Sequence, residues 1–146
     1  MTTFAQHTGL VSCQLVGGKV QFKLAQCSAQ VVHSHDDQLV SIYFRGLVDL
    51  KAIEVLRQAT AIAVNRTASQ VLYLDRSVTL LSQSPTFSDA CMAHGQRPAA
   101  IVLAESDLSV WANYAHWAGR QRLKRAVFSP QQKRWAAEWA LDHRQS

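Results

Sequence analysis

The chain has 146 residues, 48% of them apolar and 17% charged, the size and balance of one domain that closes its own core without metal or disulfide staples. This composition excludes an intrinsically disordered chain, and no stretch approaches the roughly 18 apolar residues of a membrane span. The net charge of +5 is local: from Gly119 onward seven Lys or Arg stand against Glu138 and Asp142, while the part before it is balanced.

The opening MTTFAQHTGL has neither a basic n-region nor an apolar h-region, so the chain reads as cytoplasmic. LVSCQLV and KVQFKLA flank Gly17-Gly18, a pattern that predicts an N-terminal β-hairpin. VVHSHDDQ then reads as a polar lead-in, which divides the single domain into residues 1–36, hairpin and lead-in, and 37–146, a βαβ core. Leu39 to Arg45 is apolar at nearly every position except Ser41, as expected of a central strand covered on both faces.

Asp49 is placed to cap the helix that follows. In it Ala52, Ile53, Leu56, Ala59, Ala63 and Val64 share one arc and Lys51, Glu54, Gln58 and Asn65 the opposite one. Val71 to Asp75 is the next strand. Ser84 or Ser88 then caps a short helix around Phe87 to His94, stopped by Gly95. AAIVLA after Pro98 is a strand, Ser106 caps a helix from Asp107 to about Arg120, and RAVFS is the last strand. Ser129-Pro130-Gln131-Gln132 joins an N-cap, a proline at the first helical position and a glutamine three residues after the cap, and so starts a final helix running to about His143. From Leu39 the order is βαβαβαβα, which suits a parallel sheet.

The segments VSIYFRGLVD, VLYLDRS, RPAAIVLAESDLSVWANYAHWAGR and LKRAVFSPQQKRWAAEWA resemble the STAS-like domains, the group that includes bacterial anti-sigma-factor antagonists, over about residues 37 to 142. The resemblance implies a STAS-like α/β fold, a mixed and mostly parallel sheet with helices packed on it, and a regulatory role exercised through a protein partner. In LDRSVTLLS it places Asp75 and Ser77 at the positions of the acid and the phosphoacceptor of the antagonists.

Candidate chemistry is sparse. Cys13, Cys27 and Cys91 are odd in number, lack CxxC spacing and sit in apolar stretches, the pattern of buried free thiols in a reducing compartment. His33, His35, Asp36 and Asp37 include metal-ligating types, but no third ligand is nominated by spacing, so HSHDD reads as a solvated turn and no metal or other cofactor is expected. Cys91, Ser77 and Ser129 stand in no nucleophile elbow, and GxGxxG, P-loop and HExxH patterns are missing, which argues against an enzyme. The basic last third, with Trp135 and Trp139 turned toward the sheet, reads as a solvated helix face and argues against nucleic acid as the partner.

The helix from Asp107 to Arg120 carries the strongest functional signal. Leu108, Trp111, Ala112, Ala115 and Ala118 form the arc expected to face the core, and Val110, Tyr114 and Trp117 form a second apolar face. A second apolar face marks a contact surface, and the commonest assembly that uses one is an isologous dimer. The sequence therefore reads as a non-catalytic interaction or regulatory module, a homodimer or the docker of a protein partner through Val110, Tyr114 and Trp117. The alternative is a small-molecule or lipid carrier that holds its ligand between helices and sheet.

Overall fold

Alternation along the N-terminal third produces more than a hairpin. The computed structural model describes residues 10–16, 19–34, 38–63, 68–74, 77–82, 84–92, 97–103 and 108–143, without the side chains of 10–16, 59–63 and 108–110. Strands β1 (Leu10–Val16), β2 (Lys19–Leu24), β3 (Cys27–Ser34) and β4 (Leu39–Val48) run antiparallel in sequence order. Gly17 and Gly18, the expected hairpin turn, lie outside the described residues, as do His35, Asp36 and Asp37. The expected lead-in is corrected in its first half: Val31–Ser34 belong to β3, whose inward residues Cys27, Ala29 and Val31 are small enough to give little contrast with Ser28, Gln30 and Val32 between them.

Beyond β4 strands and helices alternate, with two departures: a two-residue strand follows the strand expected at Val71 to Asp75, and the short helix expected around Phe87 to His94 ends at Ala90, its expected stop Gly95 lying outside the described residues. Helix α1 (Leu50–Ala63) is followed by β5 (Ser69–Leu74), a two-residue β6 (Thr79–Leu80), α2 (Pro85–Ala90), β7 (Ala99–Leu103), α3 (Leu108–Arg120) and β8 (Arg125–Phe128). A 3₁₀ turn at Pro130–Gln132 leads into α4 (Lys133–Asp142). Among the described residues the sheet order is β1-β2-β3-β4-β5-β7-β8, with β6 paired only to the end of β4. β4, β5, β7 and β8 are mutually parallel, so the sheet is mixed, antiparallel on one side and parallel on the other.

Three helix starts are built by predicted capping residues, while Ser106, the cap expected for α3, lies outside the described residues. Asp49 Oδ1 accepts from the Ala52 amide at 3.0 Å, Ser84 Oγ from Phe87 at 3.3 Å, and Gln132 Oε1 from Ser129 at 3.0 Å. Each satisfies an amide that the first helical turn leaves without a partner. No helix among the described residues is long and apolar enough to cross a membrane.

Strand parity divides the core into two layers. Val40, Ile42, Phe44, Leu72, Leu74, Ile101 and Leu103 face α1, α2 and α3, joined there by Val20, Phe22, Ala29 and Val31 from the antiparallel side. On the opposite face Val71, Ala100 and Val102 meet Ala136 and Ala140 of α4. Burying one such branched side chain contributes about 1.5–3 kcal/mol, which is why β5 and β7, covered on both faces, are apolar almost throughout. Helix α4 reaches β5, β7 and β8 and only the rim of β4. Among the described residues, the same face of β2 and β3 therefore has no helix over it.

Gly46 marks the point where β4 changes partner, from β3 to β6. Its φ is +89°, and a Cβ there would run into the Gln26 carbonyl, the same oxygen that accepts the Leu47 amide at 2.9 Å. Gly46→Ala combines left-handed backbone strain with a backbone collision. It is expected to destabilise the fold by about 3 kcal/mol in urea unfolding, and a loss below about 1 kcal/mol would show that the bend relaxes.

Candidate functional site

Pairing register places side chains from separate strands in rows across the uncovered face. Gln21 of β2 is opposite Gln30 of β3, Gln30 opposite Tyr43 of β4, and Tyr43 opposite Tyr73 of β5. A second row runs Lys23, Ser28, Arg45. Paired residues share a face of the sheet, so these seven form a continuous polar shelf beside the apolar strip under α4.

The shelf is the floor of a groove of about 690 Å³, with Pro130 and Lys133 at the start of α4 forming part of its lining. Tyr43 and Tyr73 stack with centroids 4.4 Å apart and planes 6° from parallel. Tyr73 packs against the apolar cluster under α4, whereas Tyr43 is 40% exposed. Burial, then the neighbouring Tyr43, pushes the Tyr73 hydroxyl up to about 12, with hydrogen bonds to Tyr43 and Ser41 acting in opposite directions. Among the described lining residues the groove carries three cations, Lys23, Arg45 and Lys133, and no carboxylate. A second groove of about 560 Å³ lies between α1 and α2, lined by Leu50, Ile53, Phe87 and Ala90 with polar residues at its rim.

The expected contact face on α3 is placed differently. Tyr114 is buried, and the core stripe of the helix is Trp111, Tyr114 and Ala118, with Ala112 exposed. This corrects the expected exposure of Tyr114. Its hydroxyl donates to Asp89 Oδ1 at 2.6 Å and accepts from Arg125 Nε at 2.9 Å, so α2 and the first residue of β8 close over it. Arg125 also donates to the carbonyls of Arg97 at 2.8 Å and Lys124 at 2.9 Å, and meets Asp89 at 3.3 Å with its own side chain fully buried. Burial holds the Tyr114 hydroxyl well above the usual phenol range.

Trp117 is half-buried, stacked on Tyr114 with centroids 6.0 Å apart, and the side chain of Val110 lies outside those described. The described outer surface of α3 is thus mostly Ala112, Asn113 and His116. Ser77 sits in an exposed turn after β5, its Oγ accepting from the Gly46 amide at 3.4 Å, while Asp75 and Arg76 lie outside the described residues. Among the described residues no three His, Cys, Asp or Glu gather as a metal site.

The basic last third is likewise not one solvated face. Arg125 is internal, Arg134 meets Glu138 at 3.3 Å on the exposed side of α4, and Lys133 lines the groove. Trp139 packs on Phe128 as expected, but Trp135 is 60% exposed. The positions that meet the sheet are Ala136 and Ala140, and Trp135 stands about 100° round the helix from Ala136.

The missed shelf had one sequence signal. Lys19, Gln21 and Lys23 alternate, as do Ser41, Tyr43 and Arg45 in a strand otherwise apolar, so one face of each strand is polar. Fold and groove together define a mixed-sheet α/β domain with helices on both faces and an open polar shelf. Compared with protein-family models, with curated proteins and with solved structures, the chain gives no match in any of the three.

Proposed function

We propose that this chain is a non-catalytic binding module whose ligand site is the uncovered polar shelf of its sheet. The carrier alternative read from the sequence is thereby favoured over docking through α3, with the ligand on the open part of the sheet beside α4 rather than between helices and sheet. The observation that carries this reading is a groove whose described lining joins the polar side chains Gln21, Gln30 and Tyr43 to Lys23 and Lys133, from separate elements, with no described carboxylate. An anionic group on a ligand would meet positive charge from those two lysines. Docking through α3 loses support because Tyr114, its middle residue, is spoken for by Asp89 and Arg125.

A regulatory role through Ser77, as the STAS-like resemblance implies, is a second reading with one contact in its favour. The Ser77 hydroxyl lies against the Gly46 amide, next in sequence to the groove residue Arg45. A phosphate there would bring about two negative charges beside the cationic groove.

Native mass spectrometry of the chain isolated gently from its own cells tests both. The expected spectrum shows a bound small molecule, absent from a Lys23→Glu/Lys133→Glu variant and reduced in Ser77→Glu. Protomer masses alone would overturn the binding reading, and full retention in Ser77→Glu would sever the link to Ser77.

A further inference from the structure

We infer that the outer edge of β8 takes up an extended, acidic segment of another protein as one more strand of the sheet, with carboxylates of that segment meeting Arg122 and Lys124. The site lies at the parallel end of the sheet, away from the polar shelf, and does not depend on it.

Strand addition needs a main-chain edge that solvent reaches. Among the described residues β8 closes the parallel side of the sheet and pairs with β7 alone. The Ala99 amide donates to the Lys124 carbonyl at 3.0 Å, and Ala99 stands opposite Arg125 in the register. In a parallel ladder that phase turns the main chain of Ala126 and Phe128 toward β7 and that of Arg125 and Val127 outward. Exposure agrees with it. The Arg125 side chain is fully buried, yet the residue as a whole is only partly buried, so the part that solvent reaches is main chain. Val127 packs its side chain against the core and is also only partly buried. An edge of this kind is a template for a further strand.

The charges beside the edge decide the chemistry of that strand. Arg120, Arg122 and Lys124 follow one another through the turn from α3 into β8, all three exposed and, among the described residues, in no ion pair. Arg122 has φ +61°, the left-handed position that closes the helix end, where the Leu123 amide donates back to the Ala118 carbonyl at 2.9 Å. Glycine fits such a position with less strain. A helix C-terminus favours a cation, but it does not call for a second one at a strained position and a third at the start of the strand. Cations beside an edge discourage a second copy of this chain, because pairing two such edges concentrates positive charge from both. The same cations draw an acidic strand. Nucleic acid or a lipid headgroup would meet the cations but leave the main-chain edge unused. The opposite edge of the sheet, β1, has no charged residue in LVSCQLV and makes no such selection.

Fluorescence anisotropy of a short labelled peptide alternating glutamate and valine, combined with NMR of the nitrogen-15-labelled intact chain, tests the inference. The peptide is expected to bind, to displace the amide signals of 124–128 and to slow hydrogen exchange at the Val127 amide. Its lysine–valine counterpart is expected to leave the spectrum unchanged. Methylating every backbone nitrogen of the acidic peptide is expected to weaken binding about tenfold, the effect of losing the hydrogen bonds of a paired strand. Arg122→Gly/Lys124→Gln is expected to weaken it about fivefold. Both side chains are exposed and glycine suits the turn, so an otherwise unchanged spectrum identifies the folded variant.

Equal binding of the methylated peptide would overturn strand addition and leave a plain polyanion contact. No binding of the glutamate–valine peptide, or equal binding of its lysine counterpart, would overturn the acidic partner. Slower exchange at Val127 on raising the concentration of the chain alone would overturn the proposal in favour of a second copy.

Discussion

Asp89→Ala is expected to destabilise the chain by about 3–5 kcal/mol, the cost of leaving a buried charge without its partner. The charge concerned is that of Arg125, whose side chain is fully buried, whereas the Asp89 side chain retains 24% of its exposure. That asymmetry sets the order of effects. Without Asp89, the guanidinium keeps two carbonyls and the Tyr114 oxygen as acceptors but loses the carboxylate 3.3 Å away. Without Arg125, the carboxylate still accepts from Tyr114 and can turn to water.

Arg125→Met fills much of the same volume with no charge and is expected to cost less than Asp89→Ala. The double variant should resemble Arg125→Met, because the stranded charge is then gone. Urea unfolding of the three proteins gives the order directly. A loss below about 1 kcal/mol for Asp89→Ala would mean that water reaches the guanidinium, and the network would no longer explain why Tyr114 is internal.

The same network shows where sequence reasoning reached its limit. Caps and strands are local, and Asp49, Ser84 and Gln132 act within three residues of the amide they satisfy or the backbone they fold back on. They were legible for that reason, as was the two-sided burial of β5 and β7. Tyr114 was not. Its partners are 25 and 11 residues away in sequence, and helical periodicity alone assigns a surplus tyrosine to the surface.

The candidate site was hidden for a related reason. Lys23, Arg45 and Lys133 are unremarkable charges one at a time, and only the register of three strands and the placement of α4 bring them to one groove. The polar alternation in β2 and β4 announced an uncovered face, but it did not say which half of the sheet α4 would leave open. That was decided by Ala136 and Ala140, whose small side chains let the helix lie on β5 and β7. β3 escaped notice because alanine and cysteine on its inner face carry too little hydrophobic contrast to reveal the period.

Alkaline solution is expected to unfold the chain in a way that reports on its buried thiols and phenols. Burial, with Cys27 and Asp89 nearby, pushes the Cys91 thiol up to about 12, and burial with Asp49 nearby pushes Cys27 up to about 11. Tyr73 is raised to about 12 and Tyr114 is raised as well, both first by burial. In each case the folded chain holds its proton more strongly than the unfolded chain does. Below pH 9 both states are protonated and the contribution to stability is complete. As pH rises, the unfolded chain loses these protons first, so it binds fewer than the native state and stability falls until the folded values are passed. The loss therefore begins near pH 9 with the thiols, is joined near pH 10 by the phenols, and levels off only above pH 12.

A single fully enclosed group such as Cys91 contributes at most about 1.4 kcal/mol per pH unit across its window. Cys91→Ser removes that titration while preserving a donor for the Phe87 carbonyl, which the thiol meets at 3.6 Å. Urea midpoints of the two reduced proteins from pH 8 to 11 should diverge in slope above pH 9, with the serine variant the flatter. Parallel curves across that range would show that the Cys91 thiol titrates alike in the folded and unfolded chains, and that the layer between the sheet and α2 admits solvent.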